Sequence, residues 1–377
     1  MKKYFFRACL LLAVFLNFSC AEKSETFVSE SFFAMDTFMT VKISSVESES
    51  VGKIGKLDKK RAEKILAEVK NEIFRLEKML SVTKKESDVY KINSGFENPN
   101  EKKMVPVHGE VKEIFDFSLA MYEETNGFFN PALYPVVREW GFTTGDYKIP
   151  SDEKISALIS STDFSQFEIL PSPSDSEFPF SVNVPEKMMV DFGAVAKGFA
   201  GDKVISQMKN AGVSSALIDF GGNVQALGRK SDGSLWNVGI RSPWGDEVAC
   251  AVKVESAAVI TSGGYERFFV GDDGKTYIHI FDFRSGKPVD NEIASVSVIA
   301  KNGAYADSLS TALFAMGVEG AIEFWRKKGD FDFVIMTNGK TDDENSGERN
   351  LIYSEGIADS VEIVIPFEKV RVVHLKK

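Results

Sequence analysis

The chain is poor in the residues that build soft-metal sites and in positive charge. Of its 377 residues only three are His and three are Cys, too few at these spacings for a His- or Cys-rich zinc site. Lys and Arg number 45 against 55 Asp and Glu, so the formal net charge is −10. Nucleic-acid-binding domains usually carry a basic face. We therefore expect no nucleic-acid partner.

Several common nucleotide-binding and acyl-transfer signatures are also missing. The sequence has no G-x-x-x-x-G-K-[ST] phosphate loop, no G-x-G-x-x-G after a strand and no G-x-S-x-G elbow. P-loop nucleotidases, Rossmann enzymes and α/β-hydrolases are therefore disfavoured. What is present is ordinary globular material, because hydrophobic residues make up 44% of the chain and charged residues 27%.

The first 20 residues have the features of an export signal. Lys2, Lys3 and Arg7 precede an apolar run over residues 8–16, which is too short for a stable membrane span. The segment that ends Leu-Asn-Phe-Ser-Cys20 then resembles a bacterial lipobox. The alternative is an ordinary secretory signal with an incidental Cys. We expect cleavage before Cys20 and lipid attachment to its thiol, which would hold the protein on the membrane.

This interpretation divides the chain into three parts. A lipoprotein signal peptide would cover residues 1–19, a lipidated Cys20 and a tether would cover 20–31, and one domain would cover 32–377. The exported protein would be anchored to the bacterial membrane and face the periplasm. Cys9 would leave with the signal and Cys250 would have no partner, so we expect no intrachain disulfide in the mature form.

Hydrophobic periodicity predicts helices and strands without regular alternation, which favours an α+β fold over a doubly wound sheet. The clearest helix covers residues 59–80, where apolar residues recur every three or four positions. The other predicted elements are helices at 111–124, before Gly212 and at 305–316, and strands at 32–43, 216–219, 236–240, 257–261, 277–283, 293–300 and 332–337. Residues 44–57 and 341–350 are expected to be loops, and 143–187 to be peripheral excursions.

The segment from Tyr305 to Thr311 carries a candidate metal site. On a helix Asp307 and Thr311 are four residues apart and share a face, with Ser310 beside them. One carboxylate and two hydroxyls are hard oxygen ligands, which suit Mg²⁺. The alternative is a solvated helix start with an Asp near the positive end of the helix dipole.

Three further segments could take part in chemistry. Asp191 and Lys197 flank a turn into a helix, and the N-terminus of that helix could receive an anion. Alternatively, the two residues are a helix cap and a surface Lys. The pair Gly221–Gly222 follows a strand and would let a ligand approach the backbone, or it forms a plain tight turn. His279 and Asp282 could orient a nucleophile or transfer a proton, or His279 is structural.

Together and in this order, these segments resemble the FAD:protein FMN transferase family, the ApbE-like flavin transferases. The motifs that carry the resemblance are M-D-T at 35–37, G-F-F-N-P at 127–131, W-G-F at 140–142, D-F-G-A-V-A-K-G-F at 191–199, the Gly pair within 218–224, T-S-G-G-Y at 261–265, H-I-F-D-F-R-S-G-K-P at 279–288 and A-D-S-L-S-T-A at 306–312. They cover nearly the whole mature chain. The resemblance implies a single α+β domain with mixed β-sheets and flanking helices.

The resemblance also implies an activity, in which Mg²⁺ serves as cofactor and FAD as substrate. FMN would move from FAD to a Thr or Ser hydroxyl of a target redox protein, with release of AMP. Carried over by position, the metal ligands would be the carbonyl of Ala194 with Asp307, Ser310 and Thr311. Flavin and adenosine contacts would fall at Met35, Thr83, Phe128, Phe129, Asn130, Asp191, Lys197, Gly221, Gly222 and Phe281. His279 would be the base for the acceptor hydroxyl, with Asp307 as the second candidate, and Asp282 would lie near the reacting phosphates.

Two positions depart from the family pattern. Thr83 stands where many members have a Tyr, and the missing ring would leave bound FAD more open to water. Attack by water would make the protein an FAD pyrophosphatase that yields FMN and AMP. Asn130 stands where the family usually has Asp, which alters one polar contact. A non-catalytic flavin-binding lipoprotein is the third hypothesis, and it predicts tight binding without turnover. Asp307→Ala should abolish turnover under the two enzymatic hypotheses and leave binding almost untouched under this one.

Overall fold

The computed structural model describes residues 26–45, 58–94, 103–172, 177–339, 348–366, 368 and 370–377. The helices in these ranges are α1 (Lys59–Leu80), α2 (Asp88–Asn93), α3 (Gly109–Glu124), α4 (Tyr134–Glu139), α5 (Asp152–Ile159), α6 (Ala196–Asn210) and α7 (Gly303–Lys328). The strands are β1 (Thr26–Ala34), β2 (Thr37–Ser45), β3 (Lys103–Val107), β4 (Glu168–Pro171), β5 (Phe180–Val184), β6 (Ala216–Phe220), β7 (Asn223–Leu227), β8 (Trp236–Arg241), β9 (Val248–Val254), β10 (Ala258–Gly263), β11 (Phe268–Val270), β12 (Thr276–Ile278), β13 (Phe281–Asp282), β14 (Lys287–Pro288), β15 (Ile293–Ala300), β16 (Asp332–Thr337), β17 (Asn350–Ser354), β18 (Val361–Ile363) and β19 (Arg371–Leu375). None of the helices in these ranges combines the length and the apolar character that a bilayer span requires.

A nine-stranded mixed sheet forms the centre of the domain. Its order among the described strands is β1-β2-β6-β7-β10-β15-β16-β17-β19. Neighbouring strands are antiparallel except β17 and β19, which are parallel. Helices and strands are mixed without βαβ alternation, so the predicted α+β fold is confirmed.

Both faces of this sheet are covered. Helices α1, α6 and α7 pack on one face, where Met39, Val41 and Ile43 of β2 are fully buried at alternate positions. The three-stranded sheet β18-β9-β8 covers part of the other face with Trp236 and Val252 in its core. Strand β15 is buried at all eight positions, as expected of a strand that is packed on both sides.

The first predicted strand, residues 32–43, is wrong as a single element. The structure has a hairpin of β1 and β2 joined at Met35 and Asp36, with φ of 48° and 58°. Two positive φ values are typical of a two-residue hairpin turn, which usually contains Gly or Asn. Met35 and Asp36 hold the turn without Gly or Asn, so a single Asp is the only turn signal between the two strands.

The predicted tether at residues 20–31 is also wrong from Thr26 onward, because β1 begins there. Polar residues on this edge strand face solvent or pair with a helix, as Glu30 does with Lys70 at 2.6 Å. That composition is the reason the segment resembles a tether. The signal peptide, Cys9 and Cys20 lie outside the described residues.

The helix predicted at 305–316 is longer than expected. Helix α7 runs from Gly303 to Lys328 and is broken at Gly317, with φ of 76° and ψ of 173°. The strand predicted at 277–283 is interrupted, since β12 ends at Ile278 and β13 begins at Phe281. The region 143–187 contains α5, β4 and β5, and the last two join β3 in a small sheet. The helices predicted at 59–80 and 111–124 are confirmed.

Candidate active site

Two tight hairpin turns lie side by side at one end of the main sheet. Met35 and Asp36 link β1 to β2, and Gly221 and Gly222 link β6 to β7. Because β2 pairs with β6, the turns are neighbours, and a Cβ at Gly221 would lie 2.0 Å from Thr37 Oγ1. Gly221 and Gly222 have φ of 67° and 88°, which glycine adopts without strain. Glycine is required at these two positions because the turn has positive φ and because Thr37 of the neighbouring turn lies so close to Gly221.

Helices α6 and α7 meet near these turns almost backbone to backbone. A Cβ at Gly198 would lie 2.2 Å from Gly303 O, and one at Gly303 would lie 1.8 Å from Gln225 Nε2. Gln225 Nε2 donates to Gly198 O at 3.0 Å. The Asp202 carboxylate accepts from the N–H of Gly303 at 2.7 Å and of Ala304 at 2.9 Å, and so caps the first turn of α7. These contacts fix the distance between the two helices.

Asp307 lies on α7 and is tied to α6. Its Oδ2 accepts from Gly198 N at 2.9 Å, and the residue is only 5% exposed. Gly198 is the third residue of α6, and the N–H groups of a helix's first turn have no acceptor within the helix. Asp307 satisfies this one from α7. Burial raises the pKa of Asp307 to about 6, against the opposing effects of the Lys197 charge and the Gly198 N–H.

Two hydroxyls follow Asp307 on the same stretch of α7. Ser310 Oγ donates to Asp307 O at 2.8 Å. Ser262 Oγ, on β10, lies 2.7 Å from Ser310 Oγ and 3.3 Å from Thr311 Oγ1. The structure thus keeps the predicted side-chain ligands Asp307, Ser310 and Thr311 on one short segment and places the Ser262 hydroxyl beside those of Ser310 and Thr311.

This donor set fits a hard divalent cation. It consists of one carboxylate and neighbouring hydroxyls, to which the resemblance would add the main-chain carbonyl of Ala194, and all of these are oxygen ligands of the kind that Mg²⁺ takes. In the part of the chain that the structure describes, no three His, Cys, Asp or Glu side chains come together as metal ligands. We call the place where Asp307, Ser310 and Thr311 lie together the metal corner. A cation bound there would depend on Asp307 as its carboxylate ligand, with positions left for water and substrate oxygens.

Two cationic side chains border the site. Lys197 of α6 acts electrostatically on Asp307, Asp191 and His279. Arg267, between β10 and β11, acts on Asp191 and His279. One group of charges therefore connects α6, the segment after β10 and the segment between β12 and β13. Such a pair of cations suits an anionic pyrophosphate.

Asp191 lies in the turn that leads into α6. Its N–H donates to Pro131 O at 3.0 Å, and its Oδ1 accepts from Gly193 N at 2.8 Å. Val195 occupies the N-cap position of α6 without a side-chain cap, so the alternative that Asp191 caps this helix is wrong. Burial raises the pKa of Asp191 above its ordinary value, against the Gly193 N–H and the nearby cations.

His279 lies in the break between β12 and β13. Its main-chain N–H donates to Arg267 O at 3.1 Å, and its ring Nδ1 lies 3.2 Å from the same oxygen. A carbonyl oxygen only accepts, so Nδ1 carries the proton and Nε2 is bare in the neutral ring. Desolvation, together with the charges of Arg267 and Lys197, lowers the pKa of His279 to about 4. The ring is therefore neutral near pH 7, with a proton acceptor at Nε2.

Asp282 has different surroundings. Its carboxylate accepts from the main-chain N of Arg284 at 3.0 Å, from Nε at 2.9 Å and from Nη2 at 3.3 Å. Although desolvation opposes ionisation, these bonds hold the pKa of Asp282 below its ordinary value. The Arg284 guanidinium also lies 5.1 Å from the centroid of the Phe128 ring. Asp282 thus fixes Arg284 beside Phe128, and its place near the phosphates stays a prediction.

The other predicted flavin contacts differ in how much ring surface they offer. Met35 and Phe128 are half-buried, and Thr83 is exposed just after α1. Phe129 is 1% exposed and Phe281 is 5% exposed. Phe281 packs in an aromatic cluster, 5.7 Å from the Phe142 ring centroid. Phe129 and Phe281 therefore offer little ring surface, and flavin contact at these positions stays a prediction.

Asn130 uses both ends of its amide within the protein. Its Oδ1 accepts from Ala132 N at 2.9 Å, and its Nδ2 donates to Thr162 O at 2.9 Å. A carboxylate could accept from Ala132 but could not donate to Thr162. The departure from the family's Asp therefore has a structural reason in this chain.

Sequence reasoning missed several residues that the fold brings to the site. They are Asp202, Asn223, Gln225, Ser262 and Arg267. Ser262 lies within the T-S-G-G-Y motif and Arg267 two residues after it, while Asn223 and Gln225 follow the Gly pair at alternate strand positions. Proximity to recognised motifs was the available signal, but the contacts themselves depend on tertiary packing.

Comparisons with known proteins agree with this geometry. A family model described as the ApbE family matches residues 35–335. A relative from Klebsiella pneumoniae (strain 342), named FAD:protein FMN transferase, is 33% identical over 71% of this chain and 80% of its own length. One of the same name from Treponema pallidum (strain Nichols) is 32% identical over 69% and 72%. The crystal structure of the Pseudomonas stutzeri flavinyl transferase ApbE in its apo form superposes with a TM-score of 0.70, at 28% identity over 84% of this chain and 92% of that one.

Proposed function

The chain belongs to the ApbE family, and from that premise we propose that it is an FAD:protein FMN transferase. In the proposed reaction a Thr or Ser hydroxyl of a target redox protein attacks the FMN phosphorus of FAD. The new bond joins the hydroxyl oxygen to that phosphorus, the pyrophosphate bridge breaks, and AMP leaves. The observation that carries the proposal is the Asp307 carboxylate, held by Gly198 N beside Lys197, on the same stretch of α7 as the hydroxyls of Ser310 and Thr311.

Mg²⁺ is the cofactor that we propose for this corner. Asp307, Ser310, Thr311 and the carbonyl of Ala194 would hold it, because they supply hard oxygen ligands. When bound, the cation would neutralise charge on the pyrophosphate oxygens. Lys197 adds a second positive charge close to Asp307. FAD binding would also use the turns at Met35 and at Gly221–Gly222, where the backbone is open to a ligand.

His279 is the base that we propose for the acceptor hydroxyl. Its Nδ1 faces the Arg267 carbonyl and keeps its proton, so Nε2 receives the proton of the hydroxyl. The low pKa of the ring, about 4, keeps Nε2 unprotonated at neutral pH. Asp307 is the weaker candidate for the base, since one of its oxygens already accepts from Gly198 and the carboxylate suits a cation.

Water competes with the protein hydroxyl in this proposal. Thr83 is exposed, and its hydroxyl lies 3.1 Å from Ser81 Oγ rather than covering the site with a ring. We therefore propose FAD hydrolysis to FMN and AMP as a second activity when no acceptor is present.

A lipid anchor at Cys20 is the proposed link to the membrane. Strand β1 begins at Thr26, so few residues separate the anchor from the folded domain. Six extended residues reach at most about 20 Å. The domain would stay close to the periplasmic membrane surface, where membrane-bound redox proteins would be its partners.

The test uses residues 21–377 with FAD and Mg²⁺, with and without a peptide that carries an acceptor Thr. We expect AMP release and an added FMN mass on the peptide, both abolished by a chelator and by Asp307→Ala. AMP without labelled peptide would support hydrolysis or indicate an unsuitable acceptor. No AMP under either condition would contradict the enzymatic proposal.

A further inference from the structure

Asn223 is buried with an unsatisfied amide. It is the first residue of β7, directly after the Gly pair, and is 2% exposed. Among the residues that the structure describes, neither its Nδ2 nor its Oδ1 has a hydrogen-bond partner. Gln225, two residues on and so on the same face of the strand, donates to Gly198 O at 3.0 Å. Buried polar groups are nearly always hydrogen-bonded, so an unpaired amide indicates a partner that arrives later.

The surroundings of Asn223 identify that partner. The Asn223 amide lies beside the Asp307 carboxylate and favours its ionised form as a hydrogen-bond donor would, but the distance and angle fall outside those of an ordinary hydrogen bond. Asn223 pairs with Ile260 on β10, two residues before Ser262. The amide is therefore enclosed by the elements that carry the metal corner. Asp307 Oδ2 is already used by Gly198 N.

We propose that Asn223 is a positioning residue for the metal corner, whose Nδ2 donates to the Asp307 carboxylate once that carboxylate binds a divalent cation. This inference rests on the proposed function, since it assigns a residue of the same site. A neutral amide suits the role because it donates to the carboxylate without adding a second negative charge in a buried place. The bond would restrain rotation of the carboxylate, whose Oδ2 accepts from Gly198 N, and would leave the other oxygen available to a cation. Groups that orient a metal ligand typically change metal affinity or activity about 10- to 100-fold.

The test separates positioning from folding. Asn223→Leu keeps the side-chain size and removes the amide, and Asn223→Ala serves if the Leu variant does not fold. Ser118→Ala is the matched control, because Ser118 Oγ is also buried and unpaired but lies on α3. The first readout is Mn²⁺ affinity, measured by electron paramagnetic resonance without FAD. The second is the thermal midpoint of the metal-free protein, and the third is the Mg²⁺ concentration that gives half-maximal AMP release from FAD.

We expect both Asn223 variants to weaken Mn²⁺ binding by about 10- to 100-fold and to raise the Mg²⁺ requirement by a similar factor. The Leu variant should keep or raise the metal-free thermal midpoint, because it removes an unpaired amide. Ser118→Ala should leave Mn²⁺ affinity unchanged. A folded Asn223 variant with Mn²⁺ affinity within twofold of wild type would overturn the inference. If wild type releases no AMP but the variants still lose Mn²⁺, the proposed activity fails and the role of Asn223 stands.

Discussion

Gly198→Ala is the substitution that most directly tests how α6 holds Asp307, the carboxylate of the proposed metal corner. The added Cβ would lie 2.2 Å from Gly303 O and 2.5 Å from Gly303 C, both main-chain atoms of α7. Side-chain rotation cannot relieve such a contact. The two helices must separate by about 1 Å before the new Cβ and the Gly303 oxygen reach the shortest distance that such atoms tolerate.

That separation would affect both stability and the site. Overpacking of this kind costs about 1–3 kcal/mol in the free energy of unfolding. The hydrogen bond from Gly198 N to Asp307 Oδ2, now 2.9 Å, would lengthen with it. A displacement of about 1 Å at reacting groups can lower the rate about 100-fold. We therefore expect a folded but weakened protein with a larger loss of activity than of stability.

Urea unfolding and AMP release from FAD, measured on the same preparations, check this prediction. Gly109→Ala is the control, because a Cβ at Gly109, the first residue of α3, meets no atom within 4 Å. That variant should be neutral or more stable by a few tenths of a kcal/mol, since Ala favours a helix over Gly. The reasoning fails if the free energy of unfolding of Gly198→Ala is within about 0.5 kcal/mol of the wild-type value and its activity is within twofold. In that case the close approach of α6 and α7 does not position Asp307.

Three further outcomes follow from the site. His279→Gln should lower AMP release about 100- to 10,000-fold, and at saturating Mg²⁺, which keeps Asp307 ionised, the acid limb of the wild-type pH–rate profile should lie near pH 4, where a base with this lowered pKa gains its proton; a limb near 6.5 that disappears in the variant would contradict the lowered pKa of the ring. Asp202→Asn should lower the free energy of unfolding by about 1 kcal/mol in urea titrations, because the charged cap of α7 is lost; no change would show that the cap is dispensable. Thr83→Tyr should raise the ratio of FMN-labelled peptide to total AMP by shielding the nucleotide from water, and an unchanged ratio would rule out this position as the source of hydrolysis.

Local patterns predicted much of the fold. The helix at Lys59–Leu80 was predictable because its buried residues recur every three or four positions. The hairpin at Met35–Asp36 was not, because its left-handed turn is held without Gly or Asn. The length of α7 was also hidden, since Gly317 breaks the helix in the middle and the pattern resumes after it. Periodicity reports which face is buried, but it does not report where a chain reverses.

The residues of the candidate site also divide into those that the sequence predicted and those that it did not. Asp307, Ser310 and Thr311 were predictable together because they are neighbours in one helix. Arg267 and Asn223 were not assigned, because their importance arises only when distant strands pair. Contacts of this kind depend on tertiary geometry, which a single sequence does not display.

The pairing of the first strands with late ones has a consequence for how the protein is made. Met39 of β2 pairs with Phe220 of β6, and the helix that carries Asp307 and Thr311 follows later still. A chain synthesised from its N-terminus therefore exposes the turn at Met35–Asp36 long before the proposed cation ligands exist. Contacts so distant in sequence slow folding, because a long loop must close before they form. A nascent or truncated chain that ends before α7 would lack the proposed cation ligands, so we expect activity only in chains that include this helix.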